Sequence, residues 1–135
     1  MALQLSVGVR NAMLDSFETT VGTSAVLKLR TGSAPANCAT ADSGTVVATL
    51  SLPSDWMAAA SSGSKALSGT WQDSSADATG TVAHFRLYAS DGTTCHMQGT
   101  VTSTGGGGDL TLDTVSVTVG DPVNITGFTL TAPNA

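Results

Sequence analysis

The sequence contains few charged residues, and this is its most unusual property. They make up 11% of the 135 residues, against about 25% in a typical soluble domain. Serine, threonine, glycine and alanine take their place. A polar but nearly uncharged surface costs less to desolvate than an ionic one, so it suits wide and permanent contact with another protein. A stable β protein without a particular partner would have the same composition. Composition therefore fits both a protein in permanent contact with a partner and a protein without one.

Basic residues are especially scarce. The chain has five of them against ten acidic residues, which gives a net charge of −5 and a pI of about 4.5. The five are Arg10, Lys28, Arg30, Lys65 and Arg86. So few cations cannot neutralise a track of phosphates, which argues against sequence-independent binding to nucleic acid. The same shortage argues against binding to an anionic membrane surface.

Long apolar runs are missing as well. No stretch approaches the ~20 apolar residues that span a bilayer. The first ten residues lack a basic start, and Gln4, Ser6 and Gly8 interrupt their apolar residues, so they do not resemble a signal peptide. We therefore expect a protein that is made in a cytoplasm and stays there until it is assembled.

There are only two cysteines and two histidines. Free thiols are the default in a reducing compartment. Whether Cys38 and Cys95 pair elsewhere stays open, because pairing depends on the distance between them. Cys95 and His96 are adjacent on a predicted strand and so point to opposite faces, which disfavours a shared metal site. No zinc-ligand spacing is present, and we expect neither a metal nor a cofactor.

No motif indicates catalysis, and we expect the protein not to be an enzyme. The glycines of 105–108 lack the Lys-Ser/Thr ending of a phosphate-binding loop, and no Gly-x-Ser-x-Gly elbow is present. One remote alternative is a small hydrolase in which His84 activates Cys95 across a hairpin. Another is a calcium site, unsupported by any repeat spacing, that would combine Asp109, Asp113 and Asp121. The remaining aspartates lie in loops or at strand ends, where this residue usually caps turns.

The N-terminal segment has helical periodicity, which predicts an amphipathic helix over about residues 7–21. One face carries the apolar residues Val9, Met13, Leu14, Phe17 and Val21. The opposite face carries Arg10, Asn11, Asp15, Glu18 and Thr19. Ser6 is a suitable N-cap, and Gly22 stands where a glycine ends many helices. We expect the apolar face to pack on the rest of the chain or on a neighbouring molecule.

After Gly22 the hydrophobic period changes to two, which predicts strands. The predicted strands cover 24–30, 45–52, 65–72, 81–90, 93–102, 109–112, 114–119 and 123–131. Asp91-Gly92 between two such runs is a strong hairpin signal. Short strands separated by turns indicate a single domain over residues 1–135, an antiparallel β-sandwich or barrel with one N-terminal helix.

The chain has few aromatic residues, and three of them are candidate binding residues. Trp56, Trp71 and Tyr88 are placed in separate segments, where they could form a sugar platform or belong to the core. Trp56 lies beside Met57 in a segment rich in alanine and serine. Both residue types are enriched at protein interfaces, so this pair is the candidate interface anchor. The alternative is that Trp56 folds back onto the core.

Several segments, in their order along the chain, resemble those of small virion proteins of tailed bacteriophages. They are Arg10-Asn-Ala-Met-Leu-Asp15, Ala25-Val-Leu-Lys-Leu-Arg30, Gly32-Ser-Ala-Pro-Ala-Asn37, Ala76-Asp-Ala-Thr-Gly80, Ala83-His-Phe-Arg-Leu87, Ser90-Asp-Gly92, Leu110-Thr-Leu112 and Val123-Asn-Ile-Thr-Gly-Phe-Thr-Leu-Thr131. Some members of this group are similar to the cement, or decoration, proteins of phage capsids. The tetraglycine and the two cysteines have no counterpart in the group.

The resemblance implies a jelly-roll-like sandwich and a structural role in the virion, after assembly in the host cytoplasm. As a cement protein, the chain would bind the outer surface of a shell of major capsid protein and bridge its capsomers. It would do so as a dimer or trimer of its own copies, and many weak contacts would add up through multivalency. The alternatives are a tail or baseplate component, or a surface module that binds host glycans.

Overall fold

The computed structural model describes residues 3–135, which form one helix, one large sheet and one small sheet. Helix α1 spans Val7–Val21. The strands β1 to β10 are, in chain order, Val26–Arg30, Val46–Ser51, Ser64–Ala66, Gln72–Asp73, Gly80–Thr81, His84–Tyr88, Cys95–Ser103, Leu110–Leu112, Ser116–Val117 and Val123–Thr131. No helix in the described part of the chain is both long and apolar enough to cross a membrane.

Both predicted ends of α1 are confirmed. The Ser6 side chain accepts a hydrogen bond from the Val9 N–H at 3.2 Å, which satisfies one of the free donors in the first turn. Gly22 ends the helix with a φ of 93°, a conformation that glycine adopts without a Cβ clash. Its N–H donates to the Glu18 carbonyl at 2.9 Å.

The large sheet is mixed, so the prediction of a purely antiparallel sheet is wrong. Its strands follow the order β2-β1-β6-β7-β8-β10-β3, and β4 also pairs with β10. All these pairs are antiparallel except β7 with β8, which run parallel. The predicted hairpin at Asp91-Gly92 is confirmed, since it joins the antiparallel strands β6 and β7. Strands β5 and β9 form the small second sheet.

The tetraglycine explains how two consecutive strands can run parallel with so few residues between them. Parallel neighbours usually need a crossover of a dozen or more residues, but only 104–109 separate β7 from β8. A Cβ on Gly106 or Gly108 would lie 2.7–2.8 Å from atoms of Thr102. The Gly108 N–H donates to Thr102 Oγ1 at 2.9 Å. The glycines therefore form a tight turn that is folded against β7.

The sheet curls until its two ends approach each other. The segment that follows β4 lies along the free edge of β2, where the Asp77 N–H donates to the Val47 carbonyl at 2.7 Å. The Asp73 carboxylate accepts from the Thr49 N–H of β2 at 3.1 Å. Because β4 itself pairs with β10, β4 and the segment after it connect the β2 edge of the sheet to β10. The fold is mainly β with one helix, as expected, but it is a curled mixed sheet with a small second sheet.

Strand β10 changes the face that it buries partway along its length. Val123 and Phe128 are both buried, although simple alternation puts them on opposite faces. The pairing of β10 with β8 shifts register between Ile125 and Gly127. Such a bulge adds one residue and moves the following side chains to the other face. Alternation that starts at the buried Val123 therefore holds as far as Ile125 and shifts by one residue after the bulge.

A row of aromatic rings runs through the core and connects α1 to the sheet. Successive rings have centroids 5.5–6.0 Å apart and meet edge-on or tilted, as aromatic pairs prefer. The row is Phe17, Trp56, Trp71, Phe128 and Phe85. Both indole N–H groups have acceptors, since Trp56 donates to the Gly22 carbonyl at 2.9 Å and Trp71 to the Trp56 carbonyl at 3.0 Å.

Candidate interaction surface

Helix α1 packs against the rest of the protein through polar side chains as well as apolar ones. The Arg10 guanidinium is buried, and its Nη2 donates to the Ala132 carbonyl at 2.9 Å. The Asn11 side chain accepts from the Gly63 N–H at 2.8 Å. Leu14, Phe17 and Val21 point inward as predicted. The prediction is wrong for Val9 and Met13, which are 49% and 45% exposed.

Lys65 of β3 lies at the centre of this contact and is almost completely buried. Its ammonium contacts the Asp15 carboxylate at 2.6 Å and the Glu18 carboxylate at 2.9 Å. Burial by itself would lower the pKa of Lys65, but the hydrogen bonds to these carboxylates outweigh it and the pKa is raised. The pKa of Asp15 is lowered by hydrogen bonds from Lys65 and from the Ala60 N–H.

The two carboxylates also bind the backbone of the segment before β3. Asp15 accepts from the Ala60 N–H at 3.0 Å, and Glu18 accepts from the Met57 N–H at 3.4 Å. A segment without regular strand pairing has donors that need acceptors from elsewhere. The acidic residues of α1 supply them, and this explains why the polar side of the helix faces inward.

The opposite side of α1 is exposed and carries no charge. We call it the outer helix face, and it consists of Val9, Ala12, Met13, Ser16 and Thr20. Val9 and Met13 are four residues apart and therefore adjacent on the helix surface. Leu3 and Val7 are also exposed, just before and at the start of the helix. In the described part of the chain, Val119 is the one other large hydrophobic residue that is exposed.

A second polar contact joins β6 to the loop of residues 31–45, which covers one face of the sheet. Simple alternation predicts a solvent-exposed face for His84, Arg86 and Tyr88, but all three are buried. Arg86 donates to the carbonyls of Asn37, Cys38 and Thr40 and to the Asp42 carboxylate.

The Asp42 carboxylate accepts hydrogen bonds from several side chains in this contact. Arg30 contacts its carboxylate at 2.8 Å and the Tyr88 hydroxyl donates to it at 2.8 Å, in addition to Arg86. Desolvation alone would raise the pKa of Asp42. The hydrogen bonds from Tyr88 and Arg86, with the charges of both arginines, outweigh desolvation and lower it.

Contacts within the chain therefore hold all five basic side chains. The fifth, Lys28, is half-buried, donates to the Gly92 carbonyl at 3.0 Å and lies 5.0 Å from the centre of the Tyr88 ring. Several aspartates likewise cap turns, as predicted. Asp91 accepts from Thr93 and Thr94 in the β6–β7 turn, and these hydrogen bonds hold its pKa well below the usual range.

The structure places the predicted interface anchor in the core. Trp56 and Met57 have almost no solvent exposure, which matches the alternative that this segment folds back onto the core. Trp71 and Tyr88 are buried as well. None of the three candidate sugar-binding aromatics forms a platform on the surface.

The other candidate sites are not assembled. His84 lies opposite Thr100 and Cys95 lies opposite Tyr88, so the two residues are separated along the hairpin. Burial and a hydrogen bond with Cys38 raise the pKa of Cys95 to about 11, which disfavours a thiolate nucleophile. Asp113 and Asp121 line one cleft of about 100 Å³, whereas Asp109 binds Thr100 elsewhere. Among residues 3–135, no group of three or more His, Cys, Asp or Glu residues is arranged to hold a metal ion.

In comparisons with known proteins, no family model, no curated protein and no solved structure matches this chain.

Proposed function

We propose that this chain is a structural protein of a bacteriophage virion. In this proposal it is a cement protein that binds the outer surface of the shell of major capsid protein and bridges neighbouring capsomers. The ordered series of segments that resembles small virion proteins suggests the phage. The outer helix face suggests how the chain attaches.

The observation that carries the proposal is that α1 exposes large apolar side chains while its charged side chains are bound to the rest of the protein. A helix on the surface of a globular protein usually turns its charged side to water and its apolar side to the core. Here Arg10, Asp15 and Glu18 all contact the body of the protein, and Val9 and Met13 face outward. Clustered exposed apolar side chains mark contact sites on protein surfaces. We infer that the outer helix face is the surface that meets the capsid.

The charge distribution favours a protein partner. The basic side chains are bound internally, so the exposed polar surface offers hydroxyl, amide and acidic groups. An uncharged helix face meets another uncharged protein surface without burying unpaired ions. Burying one side chain such as Met13 contributes roughly 2 kcal/mol. A single contact of this size is weak, but linked copies on a lattice hold together through multivalency.

The curled sheet would serve as a rigid body that presents the helix. In cement proteins a jelly-roll-like sandwich has this role, and we propose that the mixed sheet replaces it here. The resemblance also implies a dimer or trimer of the chain. We propose that the outer helix face binds the capsid and that copies of the chain contact one another through other surfaces.

Two matched substitutions test the proposal. Met13→Glu puts a charge in the outer helix face, and Val119→Glu makes the same change in polarity at an exposed residue far along the chain. Purified variants are added to capsids that lack this protein, and bound protein is measured by co-sedimentation. We expect binding to be at least ~30-fold weaker for Met13→Glu, which corresponds to about 2 kcal/mol. Val119→Glu should bind within about twofold of the unmodified chain.

Equal binding by both variants would show that the outer helix face is not the attachment surface. Binding of the unmodified chain to isolated tails, and not to capsids, would replace the cement role with the tail or baseplate alternative. Circular dichroism and thermal unfolding of each variant check that the fold is intact, because neither side chain is part of the core.

A further inference from the structure

Three hydrogen bonds fix the loop of residues 31–45 across strands β6 and β7. Gln98 Nε2 donates to the Pro35 carbonyl at 2.6 Å. Arg86 Nη2 donates to the Cys38 carbonyl at 2.9 Å, and Tyr88 donates to Asp42. Cys38 therefore lies between the first and last of these anchors, above the sheet.

This placement brings the two cysteines of the chain together. Cys95 opens β7 and lies opposite Tyr88, directly under the loop. Both cysteines are free and half-buried, and the Cys38 side chain lies near enough to Cys95 to help raise the pKa of its thiol. Two neighbouring cysteines, one on a strand and one on the exposed loop that covers it, can reach the ~2.05 Å of a disulfide by side-chain rotation and loop movement. The pairing that the sequence leaves open is therefore sterically accessible.

We propose that Cys38 and Cys95 form a redox modification site, at which a small-molecule disulfide such as oxidised glutathione generates an intramolecular bridge that locks the 31–45 loop onto the sheet. The bridge would form once the protein leaves a reducing compartment. This inference does not depend on the proposed role in a capsid.

The reaction proceeds by two thiol–disulfide exchanges. Cys38 attacks the oxidised glutathione first, because the raised pKa of Cys95 makes that thiol the poorer initial nucleophile. The attack forms a mixed disulfide and releases one glutathione thiolate. The second cysteine then attacks the protein sulfur of the mixed disulfide, which forms the Cys38–Cys95 bond and releases the second glutathione. The two thiol protons pass to the two released glutathiones. Two protein thiols are thus oxidised, and one small-molecule disulfide is reduced.

The test oxidises the folded full-length chain with a glutathione redox buffer and measures its intact mass without reductant. We expect a monomer that has lost two hydrogen atoms and carries no glutathione. The same chain in urea is the control, because there the thiols meet only by diffusion of the intervening residues. Bridge formation should be at least ~10-fold faster in the folded chain, as expected when two reacting groups are held together.

The single variants Cys38→Ser and Cys95→Ser should each carry one glutathione and form no internal bridge. Because the bridge closes a large loop, the oxidised chain should unfold roughly 5–15 °C higher than the reduced chain. Since the mass measurement uses the unmodified chain, it remains informative even if a serine variant folds poorly.

Three results would overturn the proposal. The first is a folded chain that carries glutathione on both cysteines. The second is covalent dimers in place of an internal bridge. The third is an internal bridge that lowers the unfolding temperature, because the loop would then have to distort to form it.

Discussion

Arg86 makes four hydrogen bonds to the loop of residues 31–45, and Arg86→Met tests how much they stabilise it. The Arg86 guanidinium is almost completely buried, and it binds three loop carbonyls and the Asp42 carboxylate. Methionine is also long and flexible, and it fills most of the space without offering a donor. The substitution therefore removes the hydrogen bonds and retains much of the packing.

The magnitude follows from two opposing effects. Hydrogen bonds to a charged group contribute about 1.5–3 kcal/mol each, so four of them would sum to more than 6 kcal/mol. Removing the arginine also removes the desolvation penalty of its charge, which is several kcal/mol. Asp42 keeps Arg30 and Tyr88 as partners, and the exposed loop can rehydrate its carbonyls. We expect a net loss of about 3 kcal/mol in the free energy of unfolding.

Urea unfolding at neutral pH measures this loss, and hydrogen exchange locates it. Amides of the 31–45 loop should exchange faster in Arg86→Met, whereas those of β1 and β6 should change only with global stability. Lys28→Met is the matched control, because Lys28 is half-buried and makes one hydrogen bond. It should lose less than about 1 kcal/mol. Equal losses in the two variants, with the loop still protected, would refute the role assigned to Arg86.

Two further predictions concern the core and the response to pH. Trp56→Ala should destabilise the chain by about 3–5 kcal/mol in urea unfolding, because it leaves a cavity in the aromatic row; a loss below about 1 kcal/mol would contradict the buried position. The folded-state pKa values of Asp15, Asp42 and Asp91 lie below the unfolded value of about 3.9. The unfolded chain therefore binds more protons in acid, so this stability is present above about pH 5 and declines as the pH falls through the folded pKa values. The pKa of Lys65 is raised, so its contribution is present below about pH 10 and is lost as the pH rises through the folded value. Urea midpoints across this pH range check both signs, and a midpoint that rises in acid would contradict the carboxylate contacts.

The parts of the fold that local residues determine could be predicted from the sequence. Ser6 and Gly22 mark the ends of α1, because capping depends on the residue at the cap itself. Asp91-Gly92 identifies the β6–β7 hairpin for the same reason, since the turn geometry requires these residue types. The existence of most strands also follows from their period of two.

The parts that depend on distant residues could not be predicted. The parallel pairing of β7 with β8 results from the close fit of Gly106 and Gly108 against Thr102, which composition does not show. The contacts of Asp15 and Glu18 with the body of the protein depend on Lys65, about fifty positions away, which attracts both carboxylates. One feature of the sequence points to this contact. Lys65 is the only charged residue between Asp55 and Asp73, and a lysine that becomes buried there needs acidic partners from elsewhere in the chain. A helix with two such acids on one side then points that side inward.

The most direct test of the proposed function is a cryo-electron microscopy reconstruction of phage virions from a lysate in which this chain is detected. The account predicts density for the curled sheet on the outer surface of the capsid, at contacts between capsomers. The outer helix face, with Val9 and Met13, should lie against the shell. Density for the chain only in the tail, or on the capsid with this helix face turned to solvent, would contradict the account.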